Sequence, residues 1–379
     1  MPADDWDRTQ MLPQSGGRAP DAPPGSGVRA PGAPGGREPG APRGRPTDDP
    51  ARSAGDLASG RRRRGVRWVA LVVVLLVAYP LALLAVAWTS LNRTAALGDS
   101  AATPGRTYLV VGSDSRAGLT AAQRKALRTG TAAGQRTDTI LLLHVPSGRG
   151  PTVLMSVPRD SYVDIPGHGK GKINAAFSLG GAALLARTVE QNTGIGVDDY
   201  VEVGFAGFAD MVDAVGGVRI CPKRAINDRR AGLDIAKGCQ QAQGATALGY
   251  ARARYSDPRG DLGRVERQRE LLAAIVTKAT SPATLVNPLR TFPLASSGAG
   301  ALTVDSSTGP IALARFVLGM KASSGSSGVS LTVPVRGTAT RAGSGSVVLW
   351  DTTKATAVFA AIARDDTTAV RAYAAQQKP

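Results

Sequence analysis

Hydrophobic periodicity begins only after residue 60 of this 379-residue chain. Residues 68–91 form an unbroken run of 24 uncharged positions. As a helix rising ~1.5 Å per residue it spans ~36 Å, enough to cross a hydrocarbon core of ~30 Å. Trp68 and Trp88 stand near its ends, where amphipathic rings favour the membrane–water interface. Pro80 lies mid-run, a position tolerated in membrane helices because neighbouring groups re-satisfy the backbone. A cleaved signal peptide is the competing reading, since Ala85-Val-Ala87 has cleavage-site spacing. Secretory apolar segments are shorter and rarely follow a 60-residue tail, so the pattern predicts a retained transmembrane helix.

Beyond the run, short apolar segments alternate with helical spacing. Residues 108–111, 139–143 and 153–157 read as strands, the last two closed by Pro146 and Pro158. Residues 182–191 have helical spacing and stop before Gly194; 200–203 form a strand. In 205–215, Phe205, Phe208, Val212 and Val215 share a helical face that ends at Gly216-Gly217. A strand at 218–220 and a helix at 264–278 follow, the helix with Leu271, Leu272 and Ile275 inward. A helix at 311–320, a strand at 329–335 and a helix at 352–361 complete the pattern. Such alternation predicts an α/β fold with a central mixed sheet.

Composition divides the chain further. Residues 1–60 hold 11 Pro, 11 Gly, seven Arg and eight acids, a segment too poor in core formers to offset ordering entropy. It is expected to be a disordered tail. Five arginines in the basic segment 61–67 and none within 68–91 predict a cytoplasmic tail and an outer part, with 92–106 a linker and 107–379 one domain. Of the net charge of +17, the outer part then carries +13. A location outside the membrane argues against nucleic acid and for anionic lipids, phosphates or wall polymers as partners. Two His (His144, His168) and two Cys exclude a zinc finger. Cys221 and Cys239 enclose 17 residues. An oxidising compartment favours a disulfide there, worth about 3 kcal/mol, over two buried thiols.

Two polar constellations stand out. Asp114 follows one apolar strand and Asp138 precedes another, each with an arginine two residues away, Arg116 and Arg136. Acids at strand ends can face the crevice where α/β folds bind ligands, and hard oxygen ligands suit Mg²⁺. Two surface turn residues are the plainer alternative. The second constellation holds Arg252 and Arg254, which share a face if their segment is extended, then Asp261, and Arg264 with Gln268 one helical turn apart. Guanidinium forks and a helix N-terminus suit a diphosphate, while a solvated basic face is the alternative. Arg159, after a strand and Pro158, sits where a chain exits toward a crevice. No nucleophile elbow and no Walker loop occurs.

Six segments in order resemble the LytR-CpsA-Psr family of cell-envelope phosphotransferases, in its actinobacterial form. They are Leu109-Val-Val-Gly-Ser-Asp-Ser-Arg116, Arg136-Thr-Asp-Thr139, Ser156-Val-Pro-Arg-Asp160, Lys172-Ile-Asn-Ala-Ala-Phe177, the run from Asp210 to Gly217, and Tyr250 to Gln268. They span residues 107–280. Thr137 and Phe177 depart mildly from the family pattern and touch no charged position.

The resemblance implies an α/β/α sandwich with a lipid-accepting groove. It implies transfer of a glycan phosphate from a polyprenyl-pyrophosphate carrier to a peptidoglycan hydroxyl. Asp114 and Asp138 would hold Mg²⁺, or Mn²⁺ in its place. Arg136, Arg159, Arg252, Arg254, Arg264 and Gln268 would grip the pyrophosphate, with Asp261 in support and Arg116 a lesser contributor. Asp114 or Asp138 could also act as general base. The expected enzyme is a single-pass membrane protein with its catalytic domain outside. Competing readings are a pyrophosphatase using water as acceptor, a non-catalytic lipid or wall-polymer binder, and a transcriptional attenuator. The last has no DNA-binding pattern in the tail to support it.

Overall fold

Strands buried on both faces read as continuous apolar runs rather than as alternations. Three such strands form the middle of this molecule, whose computed structural model describes residues 51–98, 103–114, 121–127, 137–253 and 261–376. The chain divides into Met1–Val66 and Arg67–Pro379. Everything below concerns the second unit, except that helix α1 (Ala51–Ser90) begins in the first.

After α1 come β1 (Asn92–Thr94), β2 (Arg106–Ser113), α2 (Ala121–Ala126), β3 (Thr137–Val145), β4 (Val153–Val157) and the hairpin β5 (Tyr162–Ile165) and β6 (Gly169–Lys172). Helix α3 (Ile173–Thr193), β7 (Asp199–Val203) and α4 (Phe205–Ala214) follow. Four short strands, β8 (Val218–Ile220), β9 (Ile226–Asp228), β10 (Leu233–Ile235) and β11 (Gln240–Ala242), lead to α5 (Gly244–Arg252) and α6 (Asp261–Ala279). Then come α7 (Pro282–Leu285), α8 (Pro288–Pro293), a π-helical turn over Leu294–Gly298, β12 (Leu302–Asp305) and α9 (Pro310–Ser324). The chain closes with β13 (Val329–Thr332), β14 (Val335–Arg341), β15 (Gly345–Trp350), α10 (Thr352–Ala363) and α11 (Thr367–Gln376).

Seven strands form one mixed sheet in the order β1-β12-β7-β2-β3-β4-β13. β2 runs parallel to β7 and antiparallel to β3. Leu109, Val111, Ile140, Leu142 and Met155 face a core shared with α3, α10 and α11. Tyr108, Val110, Leu141, Leu143 and Leu154 face the other layer, where Leu272 of α6 and Phe316 and Met320 of α9 cover them. The expected α/β/α sandwich is therefore the observed one. A smaller lobe of α4, α5, α6 and β8–β11 has its own core around Val212, Val215, Tyr250 and Leu271. The predicted Cys221–Cys239 disulfide is formed there, between β8 and β11.

Several expectations need correction. Helix α1 starts at Ala51, inside the segment expected to be disordered, and ends at Ser90. Ala51, Ala54, Leu57 and the arginines are good helix formers with no proline among them, so a helix nucleated in the apolar run extends back through them. Residues 1–50 of the expected tail lie outside the described residues. The 92–106 linker contributes β1, an edge strand parallel to β12. The 182–191 helix begins earlier, at Ile173, and kinks at Gly180-Gly181, where Gly181 takes φ 62°. Only a residue without Cβ adopts that readily. The 329–335 strand breaks at Pro334, which has no N–H to give a ladder. Val335 instead starts the separate β14–β15 pair.

Candidate functional site

The site grows from one irregularity. β2 and β3 pair in steady register as far as Gly112 opposite Thr139, and then Ser113 opposes Thr137. Asp138 is thus the extra residue of a β-bulge. A bulge breaks strict alternation and re-aims a side chain. Here it turns Asp138 to the same side as Thr139 and Leu141, and all three line one pocket.

That pocket holds about 620 Å³, part of it open to solvent. Its walls are apolar: Val110 and Leu141 of the sheet, Phe205 and Phe208 of α4, Leu248 of α5 and Leu272 of α6. Ser113, Asp138, Arg252 and Gln268 supply its polar groups. The lining therefore suits a molecule with an apolar body and a polar, anionic end.

A second chain of charges reaches the pocket from β4. Arg159 Nη1 donates to Asp138 Oδ1, both side chains being half-buried. Arg159 Nε also reaches Asp160 Oδ2 at 3.3 Å, and Lys172 Nζ pairs with Asp160 Oδ1 at 2.9 Å. Burial alone would push the Asp160 carboxyl up. The Lys172 hydrogen bond and the Arg159 charge outweigh it, so Asp160 lies below the usual carboxylate range. The backbone is tied as well: Asn174 N donates to Arg159 O at 3.2 Å and Ile173 N to Ser161 O at 2.9 Å. The Lys172-Ile-Asn segment thus anchors the turn that presents Arg159.

The third side of the site is the α4–α5–α6 lobe. Gly244 opens α5 so close to α4 that an added Cβ would lie 2.4 Å from Ala209 O. Asp213 Oδ1 accepts from Gly244 N at 2.8 Å, which caps the start of α5. The Asp210-to-Gly217 run therefore positions α5 through Asp213. At the other end of α5, Arg252 donates to Leu127 O at 3.2 Å and its guanidinium lies 5.0 Å from the Phe205 ring centroid. Buried Arg267 donates through Nε to Tyr250 O at 3.2 Å and through Nη2 to Ala253 O, holding the C-terminal turn of α5 to α6. Gln268 Nε2 reaches Ala251 O at 3.3 Å.

Asp114, Asp138, Arg159, Arg252 and Gln268 are brought to this end of the sheet, and Arg264, buried, lies one turn before Gln268 on α6. Arg116, Arg136 and Arg254 lie outside the described residues, as does the side chain of Asp261, which opens α6. The extended segment on which Arg252 and Arg254 would share a face is not formed at Arg252. That residue is the last of helix α5, because α5 packs on α4 and α6 and tertiary packing overrides the local pattern. Sequence reasoning missed Asp160, Lys172 and Arg267 as parts of the site. The Arg159-Asp160 dipeptide was a readable signal; Arg267 lay inside a charge run and had none.

Three buried side-chain oxygens at this end, Ser113 Oγ, Thr137 Oγ1 and Gln268 Oε1, have no hydrogen-bond partner. Such groups are expensive to bury and mark a place where a polar ligand or ion completes the bonding. Two carboxylates flanked by orphaned oxygens are a donor set that fits Mg²⁺, which takes one or two carboxylates and shares the rest of its shell with waters and substrate phosphates. Among the described residues no group of three or more His, Cys, Asp or Glu could hold a metal alone.

Comparison with known proteins agrees on one lineage. The LytR_cpsA_psr family model matches residues 89–374. The chain is 44% identical over 324 residues to a probable cell wall biosynthesis protein, LcpB, of Corynebacterium glutamicum, covering 83% of this chain and 76% of that one. It is 42% identical over 147 residues to the polyisoprenyl-teichoic acid–peptidoglycan teichoic acid transferase TagU of Enterococcus faecalis, covering 38% of this chain and 48% of that one. Among solved structures, the LytR-Csp2A-Psr enzyme from Actinomyces oris superposes with a TM-score of 0.55 at 22% identity, over 72% of this chain and 96% of that one.

Proposed function

The chain belongs to the LytR_cpsA_psr family, and on that premise we propose that it is a transferase that joins a cell-wall glycopolymer to peptidoglycan. The donor is a glycan carried on a polyprenyl pyrophosphate. One observation carries this reading: an apolar pocket whose polar end gathers Asp138, Arg252 and Gln268, with Arg159 paired to Asp138. The prenyl chain lies along Val110, Phe205, Phe208 and Leu272, and the diphosphate meets the cations. The similarity to a cell wall biosynthesis protein, LcpB, and to the teichoic acid transferase TagU supports the same chemistry class.

Phosphoryl transfer asks the protein mainly for position and charge neutralisation. The acceptor hydroxyl oxygen attacks the sugar-linked phosphorus. The bridging P–O bond breaks and polyprenyl phosphate leaves with its electron pair. The hydroxyl proton passes to a carboxylate at the sheet end, Asp114 or Asp138. Asp114 and Asp138 would also hold Mg²⁺, which when bound neutralises diphosphate charge. Arg252, held at the end of α5 by Phe205 and Leu127, binds phosphate oxygens as a fork. Arg264 does so one turn before Gln268. Arg159 balances Asp138 in the resting site and turns to the leaving phosphate when the donor binds. The apolar span Val66–Ser90 anchors the domain at the membrane where the donor resides, with the basic segment inside.

The test uses the full chain in detergent or bilayer with a polyprenyl-pyrophosphate-linked glycan, with and without peptidoglycan. Glycan covalently joined to peptidoglycan, lost on chelation and in Asp138→Ala, is the expected result. Polyprenyl phosphate released equally without peptidoglycan would make the enzyme a pyrophosphatase. Tight donor binding with no release would make it a carrier-binding protein.

A further inference from the structure

We propose that α7 and α8, residues 282–293, insert into the apolar layer of the bilayer that α1 crosses, as a second membrane contact of the outer domain. This rests on reading α1 as the anchor.

The first observation is depth. The polar end of the apolar span is marked by Arg67. Tyr79 lies 12 residues further, ~18 Å along the helix, in a hydrocarbon layer ~30 Å thick. Tyr79 Oη is hydrogen-bonded to Thr291 Oγ1 of α8. A residue that meets Tyr79 stands well below the outer membrane surface, and the length of a tyrosine side chain does not close that gap.

The second is what α7 and α8 show to their surroundings. Val286 is 79% and Leu289 84% exposed, and Leu285 and Phe292 are exposed beside them. Outside α1, the other exposed large apolar side chains include Ile311 and Leu318 of α9. An apolar chamber of about 1150 Å³, open to its surroundings, lies between α9 and the last turns of α1, Leu84 to Leu91. Through Thr291 and through the wall of this chamber, α8 and α9 thus both border the membrane helix. Clustered exposed apolar side chains mark an interaction site, and here the elements that carry them stand beside α1.

The third is the backbone. A segment in hydrocarbon must satisfy its own polar groups. Pro282 and Pro288 stand at the first turn of α7 and α8 and remove N–H donors there. Ser281 Oγ accepts from Thr284 N at 3.3 Å, and Asn287 Oδ1 from Leu289 N at 3.0 Å. Thr291 Oγ1 donates to Asn287 O at 3.1 Å. The lone charge, Arg290, is exposed and has an apolar stem long enough to bring its head to the lipid phosphates. The π-helical turn that follows α8 packs on α4, whose Phe205 and Phe208 line the pocket. Insertion of α8 therefore places the pocket's apolar wall next to the leaflet.

The test places an environment-sensitive fluorophore on single introduced cysteines in the full-length chain, reconstituted in phosphatidylcholine–phosphatidylglycerol nanodiscs, the native pair remaining oxidised. Leu289→Cys is the probe, Val74→Cys in α1 the membrane reference and Ala342→Cys at the tip of the β14–β15 turn the aqueous reference. The label at 289 is expected to be quenched by lipids with brominated acyl chains and spared by aqueous iodide, at a depth of about 5–10 Å or more below the headgroups. If Val74 is lipid-quenched and Leu289 is iodide-quenched, the insertion is wrong and the anchor stands. If Val74 itself is iodide-quenched, both the anchor reading and the insertion fail. Lipid quenching of Ala342 equal to that of Leu289 would also overturn the proposal, since proximity alone would then explain the signal.

Discussion

Asp138 and His144 lie six residues apart on β3, about 20 Å at ~3.3 Å per residue, and the polar clusters they anchor are built in opposite ways. At the His144 end the His144 and Asp365 side chains are engaged by the protein itself, although Thr367 Oγ1 nearby is buried without a partner. Thr107 Oγ1 meets His144 Nδ1 at 2.9 Å, and His144 Nε2 meets Asp365 Oδ1 at 2.8 Å. Ser147 donates to Asp365 Oδ2 through N at 3.0 Å and through Oγ at 2.5 Å. This closed network ties β2 and β3 to the turn between α10 and α11. At the Asp138 end, Ser113 and Thr137 hold buried oxygens with no partner, and the Asp138–Arg159 pair faces an open pocket. Buried polar groups are normally satisfied. What separates the two ends is the pocket: the His144–Asp365 pair is closed off by its own partners, whereas the orphaned oxygens near Asp138 stand where a cavity leaves room for a ligand.

The sharpest way to break this contrast is to remove one carboxylate from each end. Asp138→Ala should lower glycan transfer at least about a hundredfold, more than ~2.7 kcal/mol of transition-state stabilisation. Its melting temperature should barely move, because Arg159 keeps Asp160. Asp365→Ala should do the reverse. It leaves buried His144 without one partner, which costs about 1–3 kcal/mol of stability. The rate per folded molecule should stay within about twofold, whereas a tenfold fall, at unchanged folded fraction, would show that the His144 end takes part in the chemistry.

Acid supplies a subtler probe of the closed end. Burial pushes the Asp365 carboxyl up, but hydrogen bonds from Ser147 and His144 outweigh it and hold it below its ordinary value. A depressed carboxylate stabilises the folded state above its unfolded pKa of about 3.9, and that contribution disappears as pH falls through the lower folded value. The stability gap between the natural protein and Asp365→Asn should therefore shrink as pH falls below about 3.9 in denaturant titrations. A gap that persisted there would mean that the ionised carboxylate is not what holds this end.

Smaller effects mark the limits of the contrast. Ser147→Ala removes one exposed hydroxyl from Asp365 but leaves the backbone donor, so a loss of only about 0.5–1 kcal/mol is expected by thermal melting. Arg229→Ala, on the exposed turn enclosed by the disulfide, should be silent within about 0.5 kcal/mol and without effect on transfer. Should Arg229→Ala lower donor binding as much as Arg252→Ala, general basicity rather than a built pocket would explain recognition.

Much of this arrangement was legible in advance, and for identifiable reasons. The central strands announce themselves because both faces are buried, so Val, Leu and Ile follow one another without polar breaks. Helix α4 stopped where Gly216-Gly217 stand because both take positive φ there. Asp114 and Asp138 were readable as acids at strand ends. Less legible was anything depending on where a helix docks. Arg252 closes a helix that its spacing from Arg254 did not announce, and the segment 92–94 became a strand only because β12 offered an edge.

By itself, then, the sequence determined the membrane-length apolar run, the mixed α/β sandwich, the cysteine pair and the family motifs. All of these are set by local periodicity or by residue identity. Only the tertiary structure decided that Asp138 occupies a bulge, that Arg159 pairs with it, that Arg267 holds α5 and that Tyr79 meets Thr291. These depend on contacts between residues 14 to 212 positions apart. The propensity of a short segment carries no information about such partners. They are selected when whole layers pack, and the alternation of a strand is then overruled by a single inserted residue.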